Sequence, residues 1–400
     1  NPARRRREPS LFRSSDACLY LELVVVVQID MPHATEAVTE WLISKRYSNK
    51  IILCWFGDSK TMVNLPDHIP SADEVRKSLE EPQIVEGHNE LFHYTTISAL
   101  QGMVSTNEIW ATNAFQLNDS TELSLYWDSL LAPMKKEFVS AITEYSDRTR
   151  LAKTHVAQLG GIEAISEHNS QSYVNHIRSN LFARAGEPGM FHPFVACFTT
   201  HSEETSIENY RKNNGMLSQW RSYAEDGVSI VFDAERFVSA LSVEFEKFDY
   251  GPSMIGDVFY SHEMEKFDTL NSYLSGLSWF ATFNEHEKFE KHLLKVACPL
   301  IKAALKTKHA GFIEENECRI ISLVPTEKTR DRKKLRKKIQ QRNGISYIKL
   351  LELNHEPLPI NRVIVGPSHY QKEIAERVKW IIGKSELVQL SDTPFLPPHN

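Results

Sequence analysis

The chain has 400 residues, of which 41% are hydrophobic and 24% are charged, and its formal net charge is −6. This composition is typical of a soluble globular protein with a sizeable core. The net negative charge excludes a global electrostatic attraction to nucleic acid, although a local basic segment can still provide one.

Residues 1–30 are interpreted as a disordered or non-native leader. Their apolar run at 23–29 is far shorter than the ~20 residues of a membrane span, and interrupting charged residues argue against a signal peptide. The five cysteines lie far apart without a CxxC pair. That spacing is typical of reduced thiols and gives no zinc or disulfide signature. We therefore expect a cytoplasmic protein without a membrane partner or a bound metal.

Residues 31–88 predict a small N-terminal α/β module. It would contain a helix at 34–46, an apolar strand at 50–56 and a polar helix at 71–80. The stretch at 80–90 carries Pro, Gly and His, which indicates a linker.

A larger domain is predicted at 91–385, followed by a tail at 386–400. Short β segments alternate there with long helical inserts, which predicts an α+β fold. The predicted strands lie at 91–95, 109–113, 193–199, 228–233, 317–324, 346–353 and 360–367. The predicted helices lie at 97–104, from Asn118 onward, at 160–185, through most of 265–308 and at 370–384.

Two polar motifs open this domain. In "LFHYTT", His93, Tyr94 and Thr95 follow one another on a strand, where alternation places His93 and Thr95 on one face. A single histidine on a strand is more often structural than functional. In "IWATNAFQLNDSTE", Trp110 lies on a strand and Asn118 at a helix start, where asparagine also serves as an N-cap.

Large polar side chains are crowded in the third motif, "MLSQWRSYAEDGVSIVFD". Gln219, Arg221 and Tyr223 come just before a glycine-containing turn and an apolar strand. Such crowding is unusual for a surface loop, so these residues are candidates for a binding site.

The fourth motif, "HAGFIEENECRI", places Glu315, Glu317 and Arg319 at every second position. This spacing predicts one charged face of a strand. A solvent-facing strand of this kind would form ion pairs worth under ~1 kcal/mol each. A close carboxylate pair beside an arginine can also carry out chemistry, and both interpretations stay open.

The run "KTRDRKKLRKKIQQR" at 328–342 is the densest basic segment of the chain. One interpretation is a solvated loop between two strands. The other is attraction of a polyanion such as nucleic acid, although no aromatic residue is interleaved for base stacking.

In order and type, the four motifs together with "PFVACFT" resemble the DUF2971 family of bacterial proteins. They extend from about Leu91 to Val324, more than half of the chain. The family carries no assigned function, so this resemblance alone implies none.

A looser resemblance is to the ADP-ribosyltransferase superfamily. It implies a split β-sheet core with helical insertions, and NAD bound as a substrate in the cleft between two small sheets. His93 would match the residue that holds the dinucleotide, and Glu317 the late glutamate that contacts the nicotinamide ribose, with Glu315 upstream. The middle motif is not matched cleanly, which leaves Trp110 and Tyr223 as alternatives for the aromatic residue near nicotinamide.

This resemblance implies an ADP-ribosyltransferase or an NAD glycohydrolase in bacterial defence or acting as a toxin, with water, a protein or a nucleic acid as acceptor. Glu317 would stabilise positive charge on the ribose. Glu315 would accept the nucleophile's proton, and Arg319 would keep the carboxylates ionised or bind a phosphate. The cofactor-binding set would be His93, Tyr94, Thr95, Trp110, Asn118, Gln219, Arg221, Tyr223 and Arg319.

Two other classes of function fit the same residues. Paired carboxylates can hydrolyse a sugar or nucleoside glycosidic bond, or hold a metal for phosphodiester cleavage, although a third ligand at recognisable spacing is missing. A non-enzymatic nucleotide- or protein-sensing module of a defence system is the remaining alternative.

Overall fold

The structure is a computed structural model that describes residues 63–81, 83–117, 122–184, 189–201, 205–327, 329–353 and 356–394. The predicted leader at 1–30, helix at 34–46 and strand at 50–56 lie outside the described residues. Within the described ranges, no helix has both the length and the apolar character that a membrane span requires.

Strands occur along the described chain from Glu90 to Leu390. They are β1 (Glu90–Thr95), β2 (Ile109–Asn113), β3 (Phe191–Thr199), β4 (Val228–Asp233), β5 (Met254–Asp257), β6 (Phe259–Tyr260), β7 (Thr307–Lys308), β8 (Glu317–Pro325), β9 (Gln340–Arg342), β10 (Ile345–Leu350), β11 (Ile360–Val365) and β12 (Val388–Leu390).

Helices connect these strands and form long insertions between them. They are α1 (Ala72–Ser78), α2 (Ile84–Gly87), α3 (Ile97–Thr106), α4 (Glu122–Arg148), α5 (Arg150–Gln158), α6 (Gly161–Leu181), α7 (Ser206–Asn214), α8 (Leu217–Tyr223), α9 (Ala234–Lys247), α10 (Asp268–Gly276), α11 (Ser278–Thr282), α12 (His286–Lys295), α13 (Ala297–Lys306) and α14 (Gln371–Ile382). The predicted α+β class is confirmed.

The chain divides into two compact units, each assembled from several segments. The described part of the first comprises residues 63–72, Leu131–Ile177 and Asn271–Lys295. This part is helical, and the buried Tyr173 ring packs between Phe138 and Phe289. The second comprises Asp73–Leu130, Arg178–Leu270 and Val296–Asn400. It holds the strands and every residue discussed below as a site.

A ten-stranded, mostly antiparallel sheet forms the centre of the second unit. Its order is β12-β11-β4-β1-β3-β2-β10-β9, and β8 pairs with both β3 and β5 beside this path. A parallel pair, β11 with β12, closes one end. Strand β12 therefore falls within the stretch predicted as a tail.

The sheet is split along one edge of β3. Strand β8 occupies the other edge along its whole length, from Phe191 opposite Pro325 to Thr199 opposite Glu317. Because a strand has only two edges, β1 and β2 share the remaining one. Strand β1 meets it at Thr199 and β2 meets it at Phe194 and Val195. Residues 196–198 therefore face a gap between β1 and β2.

Apolar alternation places the larger core on one face of the sheet. Leu91, Ile230, Phe198 and Ile320 project there and pack with helices α3, α9 and α14. The opposite face, which we call the outer face, carries a second cluster that covers only β1, β4 and β11. Its members are Phe92, Tyr94, Met216, Trp220, Ala224, Val231 and Ile364.

Helix α8 covers this second cluster and is held at its start by two features. Gly215 adopts a φ of 76°, and a Cβ built there would lie 2.4 Å from Cζ2 of the Trp220 ring. The Trp220 indole N–H donates to the Asn214 carbonyl at 3.1 Å. Only glycine fits a position that combines this backbone angle with this close approach.

We expect Gly215→Ala to lower the free energy of unfolding by about 2–4 kcal/mol, since it adds left-handed strain to overpacking. Urea denaturation followed by circular dichroism measures this change. The matched control is Gly102→Ala inside α3, where a Cβ would meet no atom within 4 Å. That control should stabilise the protein by roughly 0.5–1 kcal/mol, and equal destabilisation by both variants would contradict this account of α8.

Candidate functional site

A cavity of about 310 Å³ lies at the split between β1 and β2. Residues from four of the sequence motifs reach it although they are far apart in the chain. The predicted site residues that line it are His93, Tyr94, Trp110, Gln219, Tyr223, Glu315 and Glu317. Cys197, Lys308 and Phe312 line it as well.

Glu317 is the first residue of β8 and is only 4% exposed. The Arg319 guanidinium donates from Nε to Glu317 Oε1 at 2.7 Å and from Nη2 to Oε2 at 3.2 Å. The Cys197 thiol donates to the same carboxylate. The Glu317 amide donates to the Tyr260 hydroxyl at 3.1 Å, so both the backbone and the side chain of Glu317 are fixed.

Lys308 bridges the two carboxylates of the fourth motif. Its ammonium donates to Glu317 Oε2 at 2.5 Å and to Glu315 Oε2 at 2.6 Å. The same ammonium lies 4.9 Å from the centre of the Phe312 ring. Two buried cations therefore face two carboxylates, and this arrangement, which we call the ion cluster, consists of Lys308, Glu315, Glu317 and Arg319.

The ion cluster fixes the ionisation of Glu317. Burial alone would raise the pKa of this carboxyl, but Arg319 and Lys308 outweigh burial and lower the pKa to about 2. For Lys308, burial would lower the pKa, and the two glutamates outweigh it and raise the pKa. Glu317 is therefore a carboxylate, and Lys308 an ammonium, throughout the physiological pH range.

The predicted placement of Glu315 on the strand is wrong. The segment Ala310–Glu315 is a 3₁₀ helix, and Asn316 then adopts a left-handed φ of 43° before β8 begins. Asparagine tolerates this conformation, and its side-chain amide fixes the turn by donating to the Thr200 carbonyl at 2.6 Å. Alternation therefore stops at Asn316, and Glu315 reaches the cavity from a loop.

The interpretation of the fourth motif as a solvent-facing strand is also wrong. Arg319 is 2% exposed, and its Nη1 donates to the Leu305 carbonyl at the end of α13 at 2.9 Å. The predicted pairing of Arg319 with the carboxylates holds for Glu317, whereas Lys308 is the cation bonded to Glu315. Arg319 does not line the cavity, so its guanidinium bonds Glu317 from the protein interior and not from the cavity side.

His93 lies at the gap itself. Its Nδ1 is 3.2 Å from the Cys197 carbonyl oxygen, and because a carbonyl only accepts, Nδ1 carries the proton. Burial lowers the pKa of His93 despite this bond, which leaves a neutral ring whose Nε2 is an acceptor. A neutral imidazole of this tautomer accepts from a hydroxyl and offers no charge to a phosphate.

Helix α8 brings the third motif to the cavity. Tyr223 at its end donates from its hydroxyl to Glu315 Oε1 at 3.2 Å. Burial, and then the Glu315 charge, raise the pKa of Tyr223 to about 12. At the start of the helix, the Tyr94 hydroxyl accepts from the Met216 amide at 2.9 Å, so Tyr94 has a structural bond as well as a place on the cavity wall.

Three further residues of the predicted cofactor-binding set are not among the residues that line the cavity. Thr95 and Arg221 are absent from the lining residues, and Asn118 lies outside the described residues. Sequence reasoning missed Lys308 and Cys197, which both contact Glu317. Lys308 belongs to the two-residue strand β7, and so short an element gives no periodic signal. Among the described residues, no group of three or more His, Cys, Asp or Glu side chains is suited to hold a metal.

We expect Glu317→Gln to lower the free energy of unfolding at pH 7 by about 3–5 kcal/mol, because it leaves two buried cations without their shared anion. The folded-state pKa of Glu317 is about 2, below the ordinary value of 4.5. The stabilisation is therefore complete above pH ~4.5 and is lost as the pH falls towards 2. Urea denaturation of the unmodified protein and the variant measures their free energies of unfolding at pH 7 and pH 3. The difference between the two proteins should be smaller at pH 3, and an equal difference at both pH values would contradict this account of the ion cluster.

Two comparisons with known proteins found nothing and one found a family. No curated protein and no solved structure matches the chain. The family model described as "Protein of unknown function (DUF2971)" matches residues 219–320. This segment begins at Gln219 and ends within β8, so it includes the third motif from Gln219 onward and the ion cluster but neither His93 nor Trp110. The match supports the resemblance to the DUF2971 family over this part of the chain.

Proposed function

We propose that the protein cleaves the bond between nicotinamide and ribose in NAD and transfers the ADP-ribosyl group to water or to a macromolecule. The observation that carries this proposal is the buried Glu317 carboxylate on the cavity wall, which Arg319 and Lys308 bond and whose pKa they lower to about 2. The split of the sheet at β3 further supports an ADP-ribosyltransferase-like core, since the cavity lies between the two halves.

A carboxylate that stays ionised matches the chemistry of this leaving group. When the bond between ribose C1′ and the pyridinium nitrogen breaks, its electron pair goes to nitrogen and nicotinamide leaves as a neutral molecule. The departure needs no proton, and positive charge develops on the ribose. A fixed carboxylate beside the ribose stabilises that charge in the transition state.

The same observation excludes Glu317 as the general acid of an ordinary two-carboxylate glycosidase. Such an enzyme needs one carboxylic acid of raised pKa to protonate an oxygen leaving group. Glu317 has the opposite shift, so it cannot serve as that acid at neutral pH.

Glu317 also has a donor that a substrate can replace. An ionised carboxylate offers about four acceptor positions, and Arg319, Lys308 and the Cys197 thiol supply its present donors. A thiol is a weak donor, so a ribose hydroxyl that displaced Cys197 would gain a stronger bond to a charged acceptor. The substrate sugar would then be oriented by the group that stabilises its transition state.

Glu315 is suited to act as the general base. It lies at the loop end of the ion cluster, where Tyr223 and Lys308 each bond one of its oxygens. As the nucleophile attacks C1′, its proton would pass to Glu315. His93, neutral and with Nε2 as an acceptor, would hold a hydroxyl or amide of the dinucleotide.

The direct test is to incubate the protein with NAD and to quantify released nicotinamide by chromatography. We expect Glu315→Gln to lower kcat/KM by roughly 10²–10⁴-fold, the range of a lost general base. Glu315 lies at the loop end of the cluster, and glutamine still accepts from Lys308, so the variant should fold.

The matched control is Glu314→Gln, on the same 3₁₀ helix with an exposed side chain. It should retain the activity of the unmodified protein. Absence of nicotinamide release together with absence of a thermal shift on adding NAD would refute the proposal. In that case a non-enzymatic sensing role would be the better account of the cavity.

A further inference from the structure

An aromatic pair with one exposed ring, Trp110, borders the cavity on the outer face of the sheet. Trp110 on β2 stacks on Tyr347 of β10, with ring centres 4.1 Å apart and planes 22° from parallel. Trp110 is 39% exposed although it is among the largest apolar side chains. The Arg342 guanidinium on β9 lies 5.5 Å from the centre of the Trp110 ring. We call Trp110, Tyr347 and Arg342 the stacking platform.

The platform is held rigid by a tight hairpin. Asn343 and Gly344 have φ values of 52° and 80°, which is the two-residue turn that matches the twist of paired strands. Gln116, which follows β2, donates to the Gly344 carbonyl at 2.9 Å and accepts from the Ser346 amide at 2.8 Å. The turn between β9 and β10 is therefore fixed to the segment that follows Trp110.

Register places the platform and the ion cluster on the same face of the sheet. Thr112 is opposite Tyr347 on one side and opposite Val195 on the other. Cys197, two residues after Val195, is opposite Arg319. Opposite residues project to the same face, so the outer face runs from Glu317 across β3 to Trp110, which lines the cavity as well.

Charge on the platform is positive. Among the described residues Arg342 makes no ion pair, and its guanidinium lies over the Trp110 ring. The rest of the basic segment at 328–342 is partly used inside the protein. Lys337, for example, is buried, donates to Glu244 at 2.8 Å and lies 4.2 Å from the Phe248 ring centre. Lys337 is therefore not available to a polyanion, whereas Arg342, the last residue of the segment, lies beside the exposed Trp110 ring.

We propose that the stacking platform binds single-stranded nucleic acid and presents one of its bases at the mouth of the cavity. Flat aromatic side chains stack on any base, and a neighbouring arginine pairs with the backbone phosphate or adds a cation–π contact. An exposed aromatic ring on an open sheet face, here Trp110, is the geometry by which sheets read unstacked bases. In a duplex the bases already stack on one another, so a duplex offers no free base to Trp110.

The position of the base gives it a role that rests on the proposed function. A ring nitrogen or exocyclic amine of the base would replace water as the nucleophile at ribose C1′ of NAD. The new C1′–N bond forms as the bond to nicotinamide breaks, the electron pair leaves with nicotinamide, and the proton of the base passes to Glu315. The acceptor would then be a nucleobase.

The test measures fluorescence anisotropy of a fluorescein-labelled, mixed-sequence single-stranded DNA of 12 nucleotides, an RNA of the same sequence, and the DNA duplex, all without NAD. We expect the single strands to bind the full chain at least ten-fold more tightly than the duplex. Trp110→Ala should weaken strand binding by roughly ten-fold or more. Arg342→Ala should weaken it and lower the slope of log affinity against log salt by about 1.

The control is Trp380→Ala, since Trp380 is 78% exposed and lies on a helix of the same unit, α14, rather than on the stacking platform. It should bind strands like the unmodified protein. Equal binding by the Trp110 and Trp380 variants, equal binding of strand and duplex, or no strand binding would overturn the inference. Strand binding that needs Trp110, with neither nicotinamide release from NAD in the presence of the strand nor a thermal shift on adding NAD, would uphold the platform while refuting the proposed chemistry.

Discussion

The ion cluster is the constraint on which the candidate site depends. Two carboxylates and two cations are removed from most of the solvent, and each charge is stable there only because the others are present. Arg319 joins Glu317 to the end of α13, and Lys308 joins it to Glu315 on the loop. Position and ionisation of Glu317 therefore have the same cause, and a substrate would meet a negative charge that needs no rearrangement to act.

The split in the sheet determines which sequence motifs meet. Strand β3 is bonded to β8 along one edge, and on the other edge β1 and β2 each pair with only one end of it. The first and second motifs lie on the strands that border this gap, the fourth reaches the cavity from β8 and the loop before it on the other side of β3, and α8 adds the third. Residues separated by more than 200 positions, such as His93 and Glu317, thus line one cavity.

Period-two alternation and apolar runs were sufficient to predict most strands of the second unit, because those strands have one buried face or, as in β4 and β8, are buried on both faces. The same rule failed at Glu315, because one left-handed residue, Asn316, ends the alternation. Lys308 could not be predicted because its role depends on a long-range contact rather than on local pattern. The predicted grouping of His93, Tyr223 and Glu317 came from the order of the motifs, since hydrophobic periodicity carries no information on which loops meet across a sheet.

Helix α8 connects the apolar cluster of the outer face with the ion cluster of the candidate site. Just before its first residue, the Met216 amide donates to the Tyr94 hydroxyl, and Trp220 in its middle packs in the apolar cluster of the outer face. At its end, the Tyr223 hydroxyl donates to Glu315. The helix is only seven residues long, so it is too short to bend between these ends. It would therefore move as a rigid body. A change in the volume of the side chains that pack against Trp220 would shift the Tyr223 hydroxyl, which bonds Glu315. Residues that never touch a ligand can in this way adjust the geometry of the cavity, which makes the packing beneath α8 a route for tuning the site without replacing any of its charged groups.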